Sequence, residues 1–461
     1  MAFLVGGANT LDDAYSIDNS AVFYGGAYMT RTSETPTNED MVTISVWLKR
    51  SCNFGAAQTI MSWNSGNGSQ AYLRFANGDD KVQLYNDTAG ETATSIITTS
   101  VVRDPAAWYH LVLQYDAAQG TDTNRVKIYL NNVLQSLGTD DYPPQNTALA
   151  LNVGSRTINI GRWAAGSEYY EGYMADFHYL DGVIKDPDDF GEANDNGVWV
   201  PKKYTGGSYG NNGFFLEFQQ TGTSANSSGI GADTSGVDNH WGVTDMNAHA
   251  INVDTPTLNY CTLNEVGATD SQGATGNIEN GALRLPTGHK AQGLTMDNNM
   301  LDGGKWYFEV YLATSSSLNT TLGFRNSSNG DDSPSIEQEN DGQIKKDGSN
   351  VGSTDTAFGN GNVIGILLDW STATRKIIFE HNNSAHSEGE QTFSASAEGY
   401  HYHGRETGSG AVQLYNFGNT PAFFGNKTAG DNADEDGYGN FIYAVPSGYY
   451  AINSKNLAEH G

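Results

Sequence analysis

The stretch VTISVWLKR, residues 42–50, places Val42, Ile44, Val46 and Leu48 on one face of an extended chain and Thr43, Ser45, Trp47 and Lys49 on the other. A side-chain period of two with one apolar face is the pattern of a sandwich strand. In AYLRFANGDDKVQLYND, 71–87, the turn Asn77-Gly78-Asp79-Asp80 joins Tyr72, Leu73 and Phe75 to Val82 and Leu84 as a hairpin. WYHLVLQYD at 108–116, RVKIYLNNVLQ at 125–135 and EGYMADFHYLDG at 171–182 add strands at the spacing of a two-sheet antiparallel sandwich.

From residue 186 to about 265 the pattern loosens into Pro187, Pro201, GGSYGNNG at 206–213 and TGTSANSSGIGADTSG at 221–236. This reads as a connecting segment whose one strand, GFFLEFQQ at 213–220, packs on the first sandwich, because Phe214, Phe215, Leu216 and Phe218 need burial. Strands resume with KWYFEVYLA (305–313), TTLGFRN (320–326), VIGILLDWS (363–371), RKIIFEHNN (375–383), AVQLYNFGN (411–419) and FIYAV (441–445). The nearly continuous apolar run Val363, Ile364, Ile366, Leu367, Leu368 predicts a central strand buried on both faces, whereas the preceding strands alternate. No sustained 3.6-residue or heptad period occurs, so coiled-coil shafts are not supported. The expected fold class is all-β, two consecutive antiparallel sandwiches, divided as an attachment arm at 1–20, a sandwich at 21–185, the connection at 186–265 and a second sandwich at 266–461.

Composition agrees. Apolar residues make up 38% and charged residues 17%, with 55 Gly and 25 Tyr, a mixture that suits short strands and many turns. The formal charge of −29, from 53 Asp plus Glu against 24 Lys plus Arg, repels phosphate backbones and anionic membranes and argues against nucleic-acid binding. No apolar run approaches the roughly 18 residues of a membrane span, so no membrane insertion is expected. Cys52 and Cys261, far apart in sequence, suggest two buried thiols rather than a disulfide framework or a short-spaced metal pair.

At this point the motifs carry a resemblance. Tyr28-Met29-Thr30-Arg31, VWLKR (46–50), RDPAAWYHLVLQYD (103–116), NRVKIYLNN (124–132), IGR (160–162) and EGYMADFHYLDG (171–182) resemble the laminin-G-like, concanavalin A-like jelly-roll modules of tailed-bacteriophage structural proteins. FGEANDNGVWVPKKYTG (190–206) and DTPTLNY (254–260) look like the connecting segment of those proteins. GKWYFEV (304–310), LGFRN (322–326) and VIGILLDWSTATRKIIFEHNN (363–383) resemble a SPRY-like sandwich, and VQLYNFGNTPAFFGN with DEDGYGNFIYAVPSGYYAI (434–452) resembles the end of phage tail-associated proteins. The resemblance implies a virion protein made in the host cytoplasm and released by lysis, in keeping with an N-terminus that lacks a basic, apolar signal. It implies other virion proteins as partners and a host-surface glycan or receptor as the target. A homotrimer is expected from the symmetry of phage appendages.

Sugar binding requires an aromatic platform flanked by amides or carboxylates. Trp163, Tyr169 and Tyr170 in GRWAAGSEYYEG, and Trp63 with Asn64 in SWNSGNGS, are the candidates; core packing is the ordinary alternative for each. Glycosidases of concanavalin A-like fold use an acidic E-x-D-x-x-E strand, which is absent. Glu168, Glu171 and Asp176 are the nearest cluster, with Glu168 and Glu171 expected on opposite faces of a strand. No G-x-S-x-G elbow occurs. The pair His401 and His403 lacks a third ligand in sequence, and Asn432, Asp434 and Asp436 open an acidic loop suited to Ca²⁺ without its closing Glu, Tyr443 standing there instead. The expectation is a non-enzymatic virion surface protein (tail fibre, tail tip or capsid decoration) that recognises a host glycan and needs no cofactor, with Ca²⁺ as an option. A virion polysaccharide depolymerase, a purely structural decoration protein and a carbohydrate-binding protein unrelated to phage are the alternatives.

Overall fold

The computed structural model describes residues 15–88, 92–264, 278–296, 303–314, 319–326, 335–372, 374–394, 400–406 and 408–461. Among the described residues it is an all-β protein of antiparallel sheets with one short α-helix, Ser454–His460. Asp12–Arg103 and Trp108–Thr257 make one compact unit, and Leu258–Gly461 the bulk of a second.

The first unit is a sandwich of two eight-stranded sheets. One sheet runs Val133–Leu134, Val126–Leu130, Tyr109–Asp116, Met41–Arg50, Gly172–Asp181, Ser20–Phe23, Ile251–Asn252, with Phe214–Leu216 also paired to Gly172–Asp181. The other runs Leu137–Asp141, Thr94–Val101, Lys81–Asp87, Gln70–Phe75, Gln58–Asn64, Thr157–Ile160, Tyr28–Thr32, Gly242–Thr244. Val42, Ile44, Val46 and Leu48 enter the core between the sheets with Leu73, Phe75, Val82 and Leu84, as their period-two spacing requires.

An antiparallel sheet commonly wets its outer face. Here the outer face of Met41–Arg50 is covered as well. Trp47 stacks on His110 with centroids 4.7 Å apart, His110 lies 6.0 Å from Trp199, and Thr43 Oγ1 donates to Val183 O at 2.8 Å. Lys49, fully buried, places Nζ 2.8 Å from Asp254 Oδ2, and Asp254 Oδ1 accepts from Trp108 Nε1 at 3.1 Å. The stretch read as a connection is therefore, as far as Thr257, part of the first unit. Residues 1–14 of the expected arm lie outside the described residues, while its end is packed: Ile17 is buried and its N–H donates to Thr257 Oγ1 at 3.1 Å.

In the second unit one sheet runs Arg284–Leu285, Ala411–Asn416, Lys305–Thr314, Val363–Asp369, Thr374–His381, Ser384–Ala385, and a six-stranded sheet runs His289–Met296, Tyr400–Glu406, Thr320–Asn326, Ser335–Glu339, Ile344–Lys346, Ser349–Val351. Val363–Asp369 is buried throughout and lies inside its sheet. Lys305–Thr314 alternates in sequence yet is buried on both faces from Trp306 to Leu312. Its second face carries Glu309, whose carboxylate accepts from the backbone N–H groups of Ile442 (3.0 Å) and Tyr443 (2.9 Å), Asn416 Nδ2 (3.2 Å) and the Tyr307 hydroxyl (3.2 Å). Cys52 and Cys261 are buried thiols.

Asp176 occupies a β-bulge of Gly172–Asp181 in a left-handed conformation (φ 42°), accepting from the Tyr15 hydroxyl at 2.9 Å. Burial pushes its carboxyl up to about 7, opposed by the Tyr15 bond and reinforced by Glu217 and Asp18.

Two predictions follow from these buried carboxylates. Asp254→Ala removes the carboxylate that meets the buried Lys49 ammonium and is expected to lower the unfolding free energy by about 3–5 kcal/mol in urea denaturation. The paired replacement Lys49→Met with Asp254→Leu should recover most of that loss, and a single-variant loss under about 1 kcal/mol would refute the pin. Because the folded pKa of Asp176 is raised, its contribution is fully present below the unfolded pKa of about 3.8 and is lost as pH rises through about 7, up to about 4 kcal/mol. Asp176→Asn, which tolerates positive φ, should match the parent's Tm near pH 4 and exceed it at pH 8; parallel pH profiles would contradict this assignment.

Candidate functional site

Residues 161–170 leave the strand Thr157–Ile160 and fold back on themselves. Trp163 N–H donates to Ser167 O and Gly166 N–H to Trp163 O, both at 2.8 Å, and Tyr170 N–H closes the base on Gly161 O at 2.8 Å. Gly161 (φ 86°) is required there, since a Cβ would sit 2.5 Å from the Phe23 ring. This turn sends Tyr170 into the core and presents Glu168 and Tyr169 to a cleft of about 560 Å³ lined also by Asn53, Ala56, Ala57, Gln58, Arg74, Asn77 and Glu171.

The opposite wall, residues 51–57, is held by charge. Asp80 accepts from Gly55 N–H (2.7 Å), Arg50 Nη1 (2.8 Å) and Arg103 Nε (2.6 Å). Burial acts to raise the Asp80 carboxyl, but these donors outweigh it and hold it below the usual carboxylate range. The fully buried Arg50 guanidinium lies over the rings of Phe54 and Phe75, at 4.7 and 4.5 Å. Gln58 ties wall to floor, donating to Cys52 O (2.7 Å) and Asn53 O (3.0 Å) and accepting from Glu171 N–H (3.3 Å).

Inside the cleft, Arg74 Nη1 meets Glu168 Oε2 at 2.7 Å, Arg74 Nε donates to Gln83 Oε1 at 3.0 Å, and the guanidinium lies 4.1 Å from the Tyr72 ring centroid. Burial pushes Glu171 up to about 7, with the backbone N–H of Gly25 pulling the other way. The expectation that Glu168 and Glu171 face apart is corrected. Glu168 adopts φ 52° in a loop rather than a strand, and both side chains line the same cleft. Asp176 is absent from the lining.

The predicted aromatic platform is divided. Tyr169 lines the cleft. Tyr170 is fully buried, its hydroxyl donating to Lys49 O (3.1 Å) and Tyr173 O (3.0 Å), so it is a core residue and not a sugar contact. Trp63 is likewise buried, with the Arg156 guanidinium 3.8 Å from its ring centroid, and the side chain of Asn64 accepts from Gly66 N–H at 2.6 Å to shape a turn; neither offers an open platform. Trp163 is half-buried, edge-on to Tyr72 at 5.3 Å, and Tyr72 stacks on Tyr85 at 5.1 Å. The sequence reading missed Tyr72, Arg74 and Gln58, because a strand's alternation does not say which polar residues converge at its end.

Two other constellations bear on chemistry. Ser45 Oγ lies 2.8 Å from His110 Nε2, but Trp199 Nε1 donates to Nδ1 at 3.0 Å, which leaves the ring proton on Nε2. The imidazole thus donates to Ser45 and cannot serve as its base. The calcium loop is also corrected. Asp434 already accepts four donors, Asp436 N–H, Tyr438 N–H, Ala451 N–H and Asn456 Nδ2, and Asn432 turns its NH₂ toward Phe441 O and Ile442 O. Both carboxylate oxygens of Asp434 are thus taken, and it has none free of the kind Ca²⁺ needs. Asp436 instead faces Glu459 and His460, whose ligand atoms lie within 4.8 Å of one another and could hold a borderline cation. The side chains of His401 and His403 lie outside the described residues.

Residues 23–188 match the family model of the concanavalin A-like lectin/glucanases superfamily. No curated protein matches. Among solved structures, a Bacteroides ovatus protein described as carbohydrate binding is similar at 15% identity and TM-score 0.33, over 52% of this chain; the chain spans 60% of that protein's length. Mouse laminin α1 domains LG4-5 are similar at 8% identity over 88% of this chain and 91% of theirs, TM-score 0.30. The SPRY domain of human HERC1 is similar at 16% identity over 33% of this chain and 96% of its own, TM-score 0.24.

Proposed function

We propose that this chain is a non-enzymatic surface protein of a tailed-phage virion that recognises a host-surface glycan, with the cleft around Tyr169 as the sugar site. The observation that carries the reading is the joining of one aromatic ring with Asn53, Asn77 and the Arg74–Glu168 pair in a single open cleft. A pyranose offers an apolar face to a ring and a hydroxyl rim to such groups. The lectin/glucanase family match over residues 23–188 supports the same reading. The phage setting rests on the resemblance of residues 190–206, 254–260 and 412–452, and with it come other virion proteins as partners, a homotrimer that multiplies weak contacts, and release by lysis. No cofactor is invoked, so chelation should leave binding intact.

The depolymerase reading is favoured by one observation, the sharing of a cleft by Glu168, held by Arg74, and Glu171, pushed up to about 7. A carboxyl raised by burial beside a second acidic side chain is the kind of pair glycoside hydrolysis uses. Against it, the Glu168 oxygen nearest the cleft cation is committed to Arg74 and Thr59.

Binding of the full chain to surface polysaccharides of candidate hosts, read by isothermal titration calorimetry, should weaken at least about tenfold in Tyr169→Ala and Arg74→Ala, with folding unchanged. Incubation with the bound polysaccharide should release no reducing ends. Release that vanishes in Glu171→Gln would decide for the depolymerase, and undiminished binding by both variants would move the sugar site elsewhere. Labelled antibodies on intact particles should mark the virion surface.

A further inference from the structure

Resting on the cleft as a sugar site, we infer that its ligand is an amino sugar with a free amino group, whose ammonium is taken by the carboxylate of Glu171 in the cleft that Tyr169 also lines.

Arg74 is the one cation of the lining, and its charge is already matched: Glu168 at 2.7 Å, Gln83 at 3.0 Å and the Tyr72 face at 4.1 Å occupy it. A uronate, sialate or phosphorylated sugar would find no open cation there, on a chain whose formal charge of −29 repels it at long range. Glu171 is the reverse case. Glu171 is a lining residue, its carboxyl's stabilising contact is the Gly25 backbone N–H, and no lysine, arginine or histidine acts on it among the described residues. The ionisable groups around it are Glu168, Arg74 and Tyr169, of which the first two neutralise each other. A half-buried carboxyl without a cation loses hydration with nothing in return. An ammonium supplies the missing partner, and the face of Tyr169 adds a cation–π contact.

The same inventory gives a proton signature. Burial holds Glu171 near 7, so at neutral pH part of the population is protonated. An arriving ammonium favours the carboxylate, and the carboxyl proton leaves for buffer. A neutral or N-acetylated sugar makes no such demand.

The test uses the full chain at pH 7 and 0.15 M salt with three tetrasaccharides: β-1,4-glucosamine, its N-acetylated counterpart, and a galacturonate. Calorimetry in two buffers of different ionisation enthalpy reads affinity and proton release together. The expected result is a preference of roughly tenfold for glucosamine over the N-acetylated form, with Glu171 releasing at most about half a proton per site, the share protonated at that pH. Glu171→Gln should abolish both the preference and the proton release. Equal binding of the amino and N-acetylated forms, or tighter binding of the galacturonate, overturns the inference and leaves the sugar site standing. A glucosamine preference that survives Glu171→Gln also overturns it, since that is general attraction of a polycation to an acidic chain. Absence of binding by all three, together with undiminished polysaccharide binding by Tyr169→Ala, would remove the sugar site itself.

Discussion

The buried ion pair of Lys49 with Asp254 is the constraint on which the first unit is built. A central strand with two buried faces needs a cover on the side away from the core, and the cover available is a Gly-, Ser- and Thr-rich strip with few strands of its own. Such a strip has little ladder to hold it and must be pinned by side chains. Asp254 does this at Lys49 and Trp108. Asp181, also buried, accepts the N–H groups of Thr37 (2.6 Å), Asn38 (3.2 Å) and Asn212 (3.1 Å), and Asp233 accepts those of Phe215 and Asn239, both at 2.8 Å. Each pin costs desolvation, and each is tolerable because every charged oxygen finds donors.

The second unit repeats the device with different residues. Glu309 fastens residues 442–443 over the outer face of Lys305–Thr314, and Asp434 gathers the turn at 436–438 with Ala451 and Asn456. Part of the strongly acidic composition is therefore structural. An anionic surface alone would account for solubility, but these carboxylates are inside and hold irregular backbone that regular sheet cannot reach.

The cleft draws on the same economy. Asp80 fixes the wall at Gly55 while the hairpin turn that carries it also supplies Asn77, so one acidic residue orders two sides of the site.

How much of this could be read from the chain follows from what each interaction depends on. Strand identity depends on neighbours two residues apart, so VTISVWLKR and VIGILLDWS declare themselves in sequence, as does the presence of two cores. Local turn chemistry is equally near at hand, and the Asn77–Asp80 turn is where it was expected. The fate of an individual aromatic is not local. Tyr169 and Tyr170 are adjacent and chemically identical, yet one lines the cleft and the other is sealed in the core, because a single φ of 52° at Glu168 and the Tyr170–Gly161 closure set their directions. Likewise the pairing of Lys49 with a carboxylate 205 residues away, and the commitment of Asp434 to backbone donors instead of a cation, depend on segments that only the folded chain brings together. Periodicity determined which residues are strands; tertiary closure alone decided which polar groups remain free to meet a ligand, because a carboxylate's availability is set by the donors that surround it and not by its place in the sequence.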